Sequence, residues 1–119
     1  MVAVGVLNFA PAAQASKSIP YFYNNEGDKD AKARFSADAG DYGSDTGDTF
    51  RLFKISAGTV FIQWNTDTSG SGKESYSGEN DTGKNFVHNF AEDRYVKVKV
   101  CEEKGAFPDD CSSYKTGYA

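Results

Sequence analysis

His88 is the only histidine in the chain, and so the only side chain whose ordinary titration falls near neutral pH. A hydrolytic triad would have to pair it with Ser75, Ser77 or Ser112 and a loop aspartate, yet no Gly-x-Ser-x-Gly elbow is present. Its place between Phe86 and Phe90, at alternate positions of one apolar stretch, instead indicates a half-buried, hydrogen-bonded structural histidine. Asp45-Thr46-Gly47 and Asp81-Thr82-Gly83 both match the tripeptide in which two aspartates share a proton. In that arrangement an apolar strand leads into the aspartate. Here Gly43-Ser44 and Glu79-Asn80 precede it, and Asp and Gly around a hydroxyl also suit a solvated turn. Gly78 to Lys84 has the spacing of a phosphate-binding loop, but Asn85 stands where a hydroxyl would hold magnesium, and Glu79 and Asp81 would bring negative charge into the cradle. The sequence therefore nominates no catalytic residue, and we expect a protein that is not an enzyme.

Two other chemistries are better represented. Asp38, Asp41, Asp45 and Asp48 place four carboxylates and no basic residue within one turn-rich segment, which is the ligand type a hard cation prefers. Calcium is the one cofactor this composition suggests, although the EF-hand spacing is absent and a solvated acidic loop has the same composition. The second chemistry is surface recognition. The alternation Tyr95-Val96-Lys97-Val98-Lys99-Val100 sends the valines to one face and Tyr95, Lys97 and Lys99 to the other, a cationic ridge suited to an acidic surface or polymer. Phe61 falls off the core face of its own strand, and Phe107 sits in the loop between the two cysteines; both are candidate contact residues. The bland alternative for the ridge is a solvent face whose lysines discourage edge-to-edge aggregation.

Cys101 and Cys111 flank a segment containing Gly105 and Pro108 that must turn, so the thiols can meet across its mouth. A disulfide there implies an oxidising compartment. A zinc site is disfavoured, since two cysteines and one histidine leave the usual four-ligand set incomplete. Residues 1–15 carry no charge, contain an apolar run and end in Ala13-Gln14-Ala15, the pattern of a secretory signal peptide that lacks its basic start. The expectation is a signal-peptide remnant over residues 1–15, a single domain over 16–119, and a secreted, extracellular protein.

The elements that must position these residues are strands. Period-two or short apolar runs lie at 19–23, 32–37, 49–56, 59–64, 85–91, 95–100 and 113–118, and no segment sustains a 3.6-residue period. In 49–56 the apolar parity changes between Leu52 and Phe53, which predicts a strand buried on both faces or a bulge. Residues 38–48 and 65–84 read as long polar loops. About seven short strands at this spacing predict an all-β antiparallel sandwich, or a small partly open barrel, with one disulfide. A length of 119 residues fits one domain, and seven Tyr, nine Phe and one Trp exclude a disordered acidic tail. The net charge of −4 argues against a nucleic-acid partner held by phosphate neutralisation.

An aromatic first strand, the segment Asp48 to Phe53, a Trp-bearing strand, a Gly/Ser/Asn-rich stretch and a final Val-Lys-Val-Cys with a short loop to Cys111-Ser112 together define a layout. It resembles that of small secreted β-sandwich proteins of actinomycetes to which no activity is assigned. The resemblance implies secretion and a sandwich. The expected function is that of a secreted or cell-surface-associated, non-catalytic binding protein with an extracellular protein or polysaccharide ligand and no membrane span. A calcium-dependent or carbohydrate-binding module, a secreted protease inhibitor or antimicrobial effector, and a hydrolase are the competing readings.

Overall fold

The computed structural model describes residues 15–43, 47–56, 58–67, 70–92 and 94–119. The segment read as a signal-peptide remnant lies outside the described residues except for Ala15, and so does Asp45. Among the described residues nine strands form two antiparallel sheets. β1 (Ile19–Tyr23), β2 (Ala31–Ser36), β3 (Thr49–Lys54) and β6 (Thr82–Val87) form the first, in the order β1-β2-β3-β6. The second has β5 (Ser71–Tyr76), β4 (Val60–Thr66) and β7 (Tyr95–Glu102) in that order, and β8 (Asp110–Cys111) and β9 (Lys115–Tyr118) share the far edge of β7. The sheets pack face to face without closing into a barrel. Among the described residues the one helical element is a single 3-10 turn, Asp41–Gly43, and no helix is long and apolar enough to cross a membrane.

Alternation in the sequence produces this packing. In β7, Val96, Val98 and Val100 are fully buried, and in β4 so are Val60 and Ile62, with Trp64 beside them. From the first sheet Ala31, Ala33, Phe35, Phe50 and Leu52 meet them. Phe50 links the layers: its ring lies 5.2 Å from Phe35 in its own sheet and stacks at 6.1 Å on Trp64 of the other. Phe90 closes the cluster at 5.1 Å from Trp64.

Two local expectations are revised by the structure. β3 is neither bulged nor buried on both faces, because its register to β2 and to β6 runs without a break. Phe50 and Leu52 point inward and Phe53 outward, where the Lys32 ammonium lies 4.8 Å from its ring. Lys54 has the inward parity and is buried, its Nζ donating to the Gly78 carbonyl at 2.7 Å. The ladder irregularity is in β1, between Ile19 and Phe22. The stretch read as one long polar loop at 65–84 contains all of β5 and the start of β6. β5 has few apolar residues because Trp64 covers it: a Cβ at Gly72 would stand 2.7 Å from the indole, so the position directly across from Trp64 must be glycine.

Candidate functional site

The charge of the molecule is sorted by the fold. β1, β2, β3 and β6 contain no Asp or Glu. In the second sheet only Glu74, Glu102 and Asp110 lie within strands, each at an inward register position. Among the described residues the other Asp and Glu side chains belong to the connections. The outward strand positions therefore carry cations without acids, on a chain whose net charge is −4.

On the second sheet these cations are Lys73, Lys97 and Lys99. β4 runs between their strands, and register sets Gln63 directly between Lys73 and Lys99 and Asn65 between Ser71 and Lys97. Two residues along a strand span about 7 Å, and two strand spacings about 10 Å, so the backbones of the three lysines form a triangle around those of Gln63 and Asn65. Tyr114 bounds this surface, and Gln63, Asn65, Ser71, Lys73 and Tyr114 line a cleft of about 420 Å³ that also reaches Trp64 and Gly72. Each ammonium is held against an aromatic ring: Lys73 at 4.1 Å from Phe61, Lys97 at 5.1 Å from Tyr95 and Lys99 at 5.2 Å from Tyr114. Such contacts restrain the side chains without neutralising them. Among the described residues none of the three has a carboxylate partner.

The structure thus brings Phe61, Tyr95, Lys97 and Lys99 to one face, but not as four equal contacts. Phe61 is only 2% exposed, lying in register between Cys101 and Ser75, and its role is to seat Lys73. Phe107 stands apart, 74% exposed in the loop between the cysteines. That loop is tied at its base by the Cys101–Cys111 disulfide, whose partners face each other in the β7–β8 register. Gln63, Asn65 and Lys73 were not singled out from sequence, and Tyr114 was one of several tyrosines whose orientation the sequence left open. Their grouping depends on the pairing of β4 with β5, and β5 carries no apolar signal.

Asp38, Asp41 and Asp48 each accept hydrogen bonds from within the protein. Asp38 accepts from Ser16 Oγ, and Asp41 accepts from Ser18 Oγ and from the Asp38 amide. Asp48 is buried, accepts the Phe90 amide at 3.0 Å, and has its pKa raised chiefly by desolvation. Among the described residues, the carboxylates that converge are a different set: Asp28, Asp30, Glu102 and Asp110, with ligand atoms within 4.8 Å of one another. Asn24 positions two of them. Its Oδ1 accepts the Asp30 and Ala31 amides, and its Nδ2 donates to Asp110 at 3.2 Å. The hydrogen bond with Asp30, followed by burial, pushes the Glu102 carboxyl up to about 7, and the same bond lowers Asp30. Lys104 Nζ lies 3.9 Å from both Asp28 and Glu102. The Lys104 ammonium offsets part of the charge of the cluster, whose geometry fastens the β1–β2 turn to the end of β7.

His88 Nε2 meets Glu74 Oε1 at 2.9 Å, and the imidazole stacks 5.0 Å from Phe90 and lies 4.8 Å from Trp64. A carboxylate that orients an imidazole is half of a general-base arrangement. Among the described residues, however, no hydroxyl nucleophile hydrogen-bonds to this ring, so the pair serves to join β5 to the segment after β6. Comparison with protein-family models, with curated proteins and with solved structures returns no match.

Proposed function

We propose that the protein is an exported, non-catalytic binding module that holds an anionic polysaccharide on the outer face of its second sheet. The observation that carries this reading is the register of Lys73, Lys97 and Lys99 about Gln63 and Asn65, none of the three paired with a carboxylate among the described residues, beside the exposed Tyr114. Three lysines on one sheet face, none paired with a carboxylate among the described residues, suit a polyanionic chain. Amides and hydroxyls between them suit sugar hydroxyls, and a tyrosine offers a ring for stacking and a polar tip. A double-stranded nucleic acid carries one charge per about 1.7 Å of its axis, a density that three lysines on this face do not match.

Retention of the protein on immobilised polygalacturonate, with neutral cellulose as the control, tests the reading. Binding to the charged polymer that weakens steeply with salt is expected. Equal retention on both polymers, or on neither, would overturn it. A second reading, a presented inhibitory loop, rests on Phe107, whose exposed ring sits on a loop closed by the disulfide. A rigid loop loses less entropy on binding. Polysaccharide binding that survives Phe107→Ala separates the two.

A further inference from the structure

The outer face of the first sheet carries a second cationic array on the opposite side of the sandwich. Arg34 and Arg51 are directly paired in the β2–β3 register. Like charges directly opposite one another destabilise a sheet, and among the described residues neither guanidinium has a carboxylate partner. Their neighbours hold them in place instead. Arg34 lies 4.7 Å from the Tyr21 ring and 5.5 Å from that of Tyr42, and Arg51 Nη1 donates to Asn85 Oδ1 at 3.0 Å. One step along the ladder, Lys32 lies against Tyr21 and Phe53.

Arg34 Nε is buried and has no hydrogen-bond acceptor. Two guanidiniums side by side without a carboxylate partner among the described residues suit an oxyanion, to which their remaining Nη–H groups can donate. Gly83 keeps the adjoining surface low: it faces Phe53 in the β3–β6 register, where a Cβ would stand 3.1 Å from the ring.

We infer that this face is a second binding site for the same class of ligand, a polysaccharide bearing carboxylates, with one carboxylate seated between Arg34 and Arg51. The molecule is then bivalent, with one polymer chain on each side of the sandwich, and it cross-links the polymer it binds. This inference rests on the function proposed above, which supplies the first face.

The test titrates the full chain with short oligogalacturonates and follows the stoichiometry, then adds long polygalacturonate and follows turbidity. Wild type should bind two oligosaccharides and raise turbidity. Arg34→Gln and Arg51→Gln, made separately, should each leave one site, abolish turbidity and melt no lower than wild type, because each relieves the like-charge pair. Lys97→Gln with Lys99→Gln should also leave one site. A wild-type stoichiometry of one that the arginine variants do not change overturns the second site and leaves the proposed function standing. If the arginine variants abolish all binding, the first sheet is the sole site and bivalency is overturned. No binding to either polymer form, or preferential binding of single-stranded DNA, overturns both assignments. Should one arginine variant fail to fold, the other decides.

Discussion

Lys73 and Lys99 stand at the same level of the second sheet, on either side of Gln63, and neither has a carboxylate within ion-pair distance among the described residues. Two like charges brought to one level of a sheet are a cost that burial does not require. An anionic partner converts that cost into affinity, and the dependence should be visible in salt. Replacing Lys99 by Gln is expected to weaken polygalacturonate binding several-fold at low ionic strength and much less at high ionic strength, where exposed charges are screened beyond about 3 Å at 1 M. Isothermal titration at two salt concentrations measures the difference.

Glu102 gives the fold a pH dependence of known sign. Its carboxyl titrates near 7 in the folded protein against an ordinary value of 4.5. Between those values the native state holds the extra proton, so stability falls as pH rises through them. Asp30, lowered by the same hydrogen bond, adds the opposite slope at more acid pH, where its stabilising contribution is lost. The melting temperature should therefore be higher at about pH 5.5 than at about pH 8. Glu102→Gln should flatten that difference, since an amide donates to Asp30 at either pH.

The Cys101–Cys111 bridge closes a short loop, with a sequence separation of 10. Replacing both cysteines by Ser should cost on the order of 3 kcal/mol by loop-closure entropy. Chemical denaturation measures that loss. Lys97 and Lys99 lie in β7 upstream of the bridge, so binding of polygalacturonate should persist wherever the variant remains folded.

Gly72→Ala tests whether β5 is held by Trp64. The added methyl would stand 2.7 Å from the indole, which must then move within a filled core. Overpacking of this kind costs about 1–3 kcal/mol, and the same shift would disturb Gln63 and Lys73 beside it. Loss of stability and loss of binding are expected together, read from thermal melts and from titration.

The strands whose apolar residues alternate were legible in the sequence. Val96, Val98 and Val100 declare β7, and the same alternation correctly sets Tyr95, Lys97 and Lys99 on the opposite face. β5 was not legible, because its core-side position at Gly72 is filled by a side chain from another strand. Phe53 misled for a related reason: an aromatic residue on an outer face reads as core until the cation lying over it is known. The cluster of Asp28, Asp30, Glu102 and Asp110 joins residues far apart in the chain, and only the approach of β7 and β8 to the β1–β2 turn brings them together. The alternation Ala31-Lys32-Ala33-Arg34 did carry the signal of the first-sheet face, but its meaning depended on Arg51 being the partner of Arg34.

The most direct test of the central claim is residue-by-residue mapping of the bound ligand. Amide and side-chain shifts of isotopically labelled protein would be followed through a titration with oligogalacturonate. The account predicts that the Gln63 and Asn65 side-chain amides, the amides of Lys73, Lys97 and Lys99, and Tyr114 move together with one apparent affinity. Shifts confined to the loop around Phe107, or no shifts at saturating ligand, would contradict it.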